Sequence, residues 1–116
     1  MLFRSLKKLL VRLNNLFPDI PIYITENGAC YNIGPDENGK INDVKRQEYM
    51  ALNISSALES IAEGVNLKGY YAWSLLDNFE WAWGFSMRFG IVYVDFSTMQ
   101  RIVKESGHQF RELVSR

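Results

Sequence analysis

Leucine and phenylalanine recur at three- and four-residue steps near the start of the chain: Leu2/Phe3, Leu6, Leu9/Leu10, Leu13 and Leu16/Phe17, with basic and polar residues between them. That spacing predicts an amphipathic helix over 3–17, stopped by Pro18 and Pro21. Ile22, Tyr23 and Ile24 then form a β-branched and aromatic run, which predicts a buried strand ending at Thr25-Glu26-Asn27-Gly28. Residues 31–42 are rich in Gly, Asn, Asp and Pro and read as a surface loop. Asn42 or Asp43 is placed to cap a second helix with apolar positions Val44, Tyr49, Met50, Ile54, Ala57, Leu58 and Ile61, closed by Gly64. A second apolar strand follows from Gly69 and ends in Asp77, Asn78, Glu80 and Trp81. Strand, helix, strand in that order predicts a right-handed βαβ unit with the tips carrying Glu26 and Asp77 on one edge. Beyond an aromatic loop over 79–89 punctuated by Gly84, residues 91–96 and 100–103 flank Ser97-Thr98-Met99 as the arms of a hairpin. A last helix is expected from 104–106, burying Phe110, Leu113 and Val114.

Composition narrows the setting. At 116 residues the chain is one domain by length, too short for a complete (β/α)8 barrel of about 250 residues. Lys plus Arg equals Asp plus Glu at 13 each, so no bulk charge points to nucleic acid or an anionic membrane. No apolar run approaches the roughly 20 residues a spanning helix needs, and basic residues interrupt any signal-like stretch at the N-terminus. The basic first helix suits either a core-packing role or a membrane surface. Cys30 is the lone cysteine, which fits a reducing compartment, with the cytoplasm as the default, and reads as an unreactive thiol. His108 lacks a companion at ligand spacing, so neither a metal nor another cofactor is expected.

The chemistry sits at the two strand ends. Apolar strand interiors exclude charge, whereas the C-terminal ends of parallel barrel strands are where barrel enzymes keep catalytic groups. Ile24-Thr25-Glu26-Asn27-Gly28, Trp73-Ser74-Leu75-Leu76-Asp77-Asn78-Phe79-Glu80-Trp81 and Arg88-Phe89-Gly90-Ile91-Val92-Tyr93-Val94-Asp95-Phe96 stand in the same order and at similar separations as in family 1 glycoside hydrolases. The chain therefore resembles the C-terminal quarter of a β-glucosidase or phospho-β-glucosidase of that family. The resemblance implies an α/β fold, the C-terminal portion of a (β/α)8 TIM barrel, with residues 1–116 as a single partial-barrel domain.

It also implies a retaining glycosidase, in which one carboxylate attacks the anomeric carbon and a second carboxyl group protonates the leaving oxygen. Glu26 matches the nucleophile. Trp73, Glu80 and Trp81 match the glycone pocket, where indoles stack on sugar C–H faces and a carboxylate grips hydroxyls. Phe89 is expected to close that pocket. Trp73 and Phe89 have the alternative reading of plain core aromatics. Asp77, Asn78 and Arg88 read as hydrogen-bonders that hold turns. Members that prefer 6-phosphorylated sugars usually bear Ser where Trp81 stands, so the implied substrate is an unphosphorylated β-glucoside. Smaller departures from the family pattern are Asn53, Trp83 and Ile102-Val103.

The family's acid/base Glu lies in an Asn-Glu-Pro tripeptide that this sequence does not contain. Proton donation to the leaving group is worth about 10²–10⁴-fold, so the polypeptide alone is expected to be nearly inert. Three alternatives stay open: a piece of a β-glucosidase, a sugar-binding remnant, or a truncated chain without a biological ligand. Unpaired strand edges further predict a homo-oligomer, or elements repacked away from barrel geometry.

Overall fold

The computed structural model describes residues 4–115, so the predicted helix start at Phe3 lies outside the described residues. The order of elements is α1 (Arg4–Leu16), β1 (Ile22–Asn27), α2 (Val44–Ala62), β2 (Leu67–Ala72), a 3₁₀ turn (Trp81–Trp83), β3 (Val92–Val94), β4 (Arg101–Val103) and α3 (Glu105–Val114). β1 and β2 pair in parallel, and β3 and β4 pair antiparallel as the expected hairpin. β1 runs on through Glu26 to Asn27, and β2 stops one residue short of Trp73.

One face of the β1–β2 sheet is covered. Leu10 of α1, Ile24, Ala57 of α2, Val65 and Leu67 form the buried cluster, with Leu6, Val11, Ile22 and Tyr70 packed around it. Of the apolar positions predicted for α1, Leu6 and Leu10 reach the core, whereas Leu9, Leu16 and Phe17 stay exposed; Lys7 adds ion pairs to Glu59 at 3.1 Å and Glu63 at 2.6 Å on α2. Among the described residues no helix is long and apolar enough to cross a membrane.

Several positions expected in the core are outside it. Val44, Leu58 and Ile61 of α2 and Leu113 and Val114 of α3 are exposed, as are Tyr23 and Tyr71 on the two paired strands. The periodicity had marked faces that need cover, and among the described residues nothing lies over them. The radius of gyration, 15.9 Å, records the same openness, since a compact domain of this length has about 13 Å.

Buried charge takes over where apolar contact is thin. Asp43 stands at the N-cap position of α2 but makes no side-chain cap there. Its carboxylate instead pairs with Arg46 at 2.6 Å and accepts the Ser106 N–H at 2.9 Å and the Ser106 Oγ–H at 2.6 Å. The expected α2 cap is thus a cap on the first turn of α3, which ties the helices together. Arg46 reaches on through Nη2 to the carbonyls of Tyr31 at 3.2 Å and Arg88 at 2.7 Å, joining the two loops that leave the strand tips.

Asp77 is the second such centre. It accepts from Lys104 Nζ at 2.9 Å, Arg88 Nη1 at 2.6 Å and the Gly90 N–H at 3.0 Å, with the Val94 N–H at 3.4 Å. Asp77 thereby ties the loop after β2 to the hairpin and the start of α3. Burial pulls Lys104 below the ordinary lysine value, against the opposite pull of Asp77. Asn78 donates to Ser74 Oγ and the Leu76 carbonyl, both at 3.0 Å. The turn-holding roles expected for Asp77, Asn78 and Arg88 are thus what their hydrogen bonds perform.

Candidate active site

Glu26, Trp73, Asn78, Phe79, Glu80 and Trp81 line one cavity of about 310 Å³ at the C-terminal ends of β1 and β2. Four of the five residues singled out from the sequence therefore meet there. Phe89 is not among the lining residues; its carbonyl accepts the Ser74 N–H at 3.1 Å, which holds the loop 79–89 against the exit of β2. A larger depression of about 720 Å³ lies between α1 and α2, lined by Lys7, Arg12, Glu59 and Glu63 among others. It is a gap between helix flanks, remote from both strand tips, and offers no carboxylate opposite an aromatic wall.

The wall is built by local backbone geometry. Glu80 N–H donates to the Gly84 carbonyl at 2.7 Å and Trp83 N–H to the Glu80 carbonyl at 2.8 Å, closing the loop on itself. Trp81 sits in that turn at φ 42°, a left-handed conformation that costs a bulky residue strain and clusters at functional loops. Its indole is 81% exposed. An apolar ring of that size standing in solvent is available to stack on a flat apolar ligand face.

The two strand tips are joined closely. Trp73 N–H donates to the Asn27 carbonyl at 2.8 Å. A Cβ on Gly28 would lie 1.7 Å from the Trp73 carbonyl oxygen, so only glycine permits this approach. Asn27 is bonded sideways as well: Tyr70 Oη donates to its Oδ1 at 2.7 Å, and its Nδ2 donates to Tyr49 Oη at 3.4 Å. Tyr49, expected only as an apolar position of α2, thus adds a polar contact behind the candidate nucleophile. Pairs 22 and 43 residues apart leave no local pattern by which sequence could reveal them.

Burial, with the nearby Tyr49 adding to it, raises the Tyr70 phenol from its ordinary value of 10.0 to about 12. The folded state therefore favours the protonated phenol. Between pH 10 and 12 the unfolded chain gives up that proton and the folded chain keeps it, so Tyr70's contribution to stability is full below pH 10 and is lost as pH rises to 12. The expected result is a urea midpoint that falls over this window, with a shallower fall in Tyr70→Phe. Equal slopes in the two proteins would remove Tyr70 from the account.

Among the described residues no group of three His, Cys, Asp or Glu side chains is arranged to hold a metal ion. Cys30 Sγ lies 3.3 Å from Asn32 Oδ1 and 3.8 Å from Met87 Sδ, neighbours that supply no base.

Paired parallel strands with carboxylates and indoles at their C-terminal ends define a partial α/β piece. The chain belongs to glycosyl hydrolase family 1, whose sequence profile matches residues 2–116. It is 55% identical over 93 residues to "Beta-glucosidase A" of Thermotoga maritima, covering 80% of this chain and 21% of that protein. To "Beta-glucosidase A" of Acetivibrio thermocellus it is 47% identical over 110 residues, covering 95% and 25%. The solved β-glucosidase from Thermotoga maritima in complex with azafagomine superposes with a TM-score of 0.95 at 46% identity, over 97% of this chain and 26% of that one. The chain thus spans about a quarter of the length of the relatives it matches.

Proposed function

We propose that this chain supplies the nucleophile side of a retaining β-glucosidase acting on unphosphorylated β-D-glucosides. Glu26 attacks the anomeric carbon, Trp73 and Trp81 stack on the glucose ring, and Glu80 accepts its hydroxyls. The observation that carries this is the single cavity lined by Glu26, Glu80, Trp73 and Trp81. Phe89 acts from behind it, through its backbone bond to Ser74. The names of relatives support the substrate class, since those proteins are β-glucosidases, one of them solved with azafagomine.

The second carboxyl group, which protonates the leaving oxygen, is not encoded in these 116 residues. The polypeptide by itself is therefore nearly inert on ordinary glycosides. Its open strand edges pair between copies, giving a dimer or higher oligomer. The setting proposed is the cytoplasm, where the Cys30 thiol stays reduced.

A 2-deoxy-2-fluoro glucoside with a dinitrophenolate leaving group tests the reading, because that leaving group departs without acid help. The expected product carries one fluoro-sugar on Glu26, read by peptide mass, in a sample whose light-scattering mass exceeds the 13.5 kDa of one chain. No adduct, together with no glucose binding by calorimetry, would overturn the enzymatic assignment. A 13.5 kDa particle at micromolar concentration would overturn the self-association.

A further inference from the structure

Ile24 and Asn27 of β1 face the same side, although they are three positions apart. Ile24 packs with Leu10 and Ala57 of the helices, and Asn27 bonds to Tyr49 on α2. Side chains alternate along a regular strand, so residues an odd number apart should face opposite ways. The pairing register accounts for the exception. Between Ile24↔Tyr70 and Asn27↔Ala72, β1 advances three residues while β2 advances two. One residue of Thr25-Glu26 is surplus there, offsetting the extra residue that β2 carries between Leu67 and Gly69; such a local irregularity of the β-bulge kind re-aims side chains beside active sites. Strict alternation from Ile24 would turn Glu26 towards the helix-side core. The surplus residue turns it to the cavity shared with Trp73 and Glu80.

We propose that Asn27 is the positioning residue that holds this bulge closed and so aims Glu26, an inference that rests on Glu26 being the nucleophile. Asn27 is where the ladder resumes, and it is tied in three directions. Its carbonyl takes the Trp73 N–H, its Oδ1 takes the Tyr70 hydroxyl, and its Nδ2 donates to Tyr49. The first two bonds cross to β2 and its exit, and the third reaches α2. An extra residue in a parallel ladder leaves unpaired backbone that relaxes unless something pins its end. Asn27 is that pin.

The test compares the parent with Asn27→Ala, Asn27→Asp and Tyr70→Phe by amide hydrogen exchange and by inactivation with the same 2-fluoro glucoside. In Asn27→Ala the Trp73 amide is expected to exchange about tenfold faster, the scale of one lost hydrogen bond. The Ile22 amide, which donates to the Asn66 carbonyl at 2.8 Å at the far end of the sheet, stays unchanged. The inactivation rate constant falls about 10²-fold, as misaimed nucleophiles do, while the concentration for half-maximal rate is unchanged. Asn27→Asp keeps the acceptor for Tyr70 but loses the donor to Tyr49, and recovers part of both readouts. Tyr70→Phe moves them the same way by a smaller factor and stands in if Asn27→Ala does not fold. Unchanged Trp73 exchange, or equal acceleration at Ile22, would overturn the proposal. If the parent itself takes no label, the nucleophile assignment fails, and the exchange comparison still decides whether Asn27 pins the bulge.

Discussion

Replacing Asp77 with Asn is expected to lower the melting temperature by about 10–20 °C. Lys104 is fully buried and Asp77 nearly so, and they meet at 2.9 Å with Arg88 on the other carboxylate oxygen at 2.6 Å. Removing one partner of a buried pair costs about 3–5 kcal/mol, because the remaining charge is stranded. Against a total stability of about 5–15 kcal/mol for an ordinary domain, that is a large share. The Gly90 and Val94 amides lose their charged acceptor in the same change. Because the carboxylate joins the β2 exit, the hairpin and α3, the loss is felt across the C-terminal third. The double variant Asp77→Asn, Lys104→Met removes the stranded cation and should recover part of the midpoint. Thermal unfolding followed by circular dichroism measures both. A shift under about 3 °C in the single variant, below the ordinary range for such losses, would mean that Lys104 escapes to solvent and the pair is not a structural centre.

Gly28→Ala is expected to abolish labelling of Glu26. The new methyl carbon would lie 1.7 Å from the Trp73 carbonyl oxygen and 2.8 Å from the carbon behind it. Both atoms are backbone, so no side chain can swing aside. The strand tips must separate by more than 1 Å to restore ordinary contact, and the 2.8 Å bond from Trp73 N–H to the Asn27 carbonyl stretches with them. Displacements of that size at a reacting group cost about 10²-fold or more. Gly34→Ala is the matched control, since nothing lies within 4 Å of its added carbon; its stability should stay within about 0.5 kcal/mol of the parent. Normal labelling in Gly28→Ala would show that the tips are not held as closely as their hydrogen bond requires.

Much of this was legible beforehand, for identifiable reasons. α1, α2, both parallel strands and the hairpin follow from local periodicity and from Pro and Gly punctuation. Glu26, Trp73, Glu80 and Trp81 stand in long motifs whose order already placed them at strand ends. Leu58, Ile61, Leu113 and Val114 stand exposed where burial is expected, because periodicity marks a face that needs cover without saying whether the chain supplies it. Local capping preferences point to Asn42 or Asp43 for the start of α2, but the Asp43 carboxylate is taken by the Arg46 side chain and by Ser106, 63 positions away. Lys104 gave no sign of burial, since a lysine at a helix start ordinarily reads as solvated. The lock around Asn27 was invisible for the same reason: its partners are set by how α2 and β2 come together in space.

The surplus residue in β1 has a consequence for how this region is surveyed. Every point substitution preserves the number of residues between Ile24 and Asn27, and it is that count, together with the side chains, that decides which way the carboxylate faces. A saturation library of single replacements reaches only the side chains that hold it, such as Asn27, and never the count itself. Only a deletion or insertion at 25–26 interrogates it, exchanging the roles of the two faces while altering almost nothing in composition.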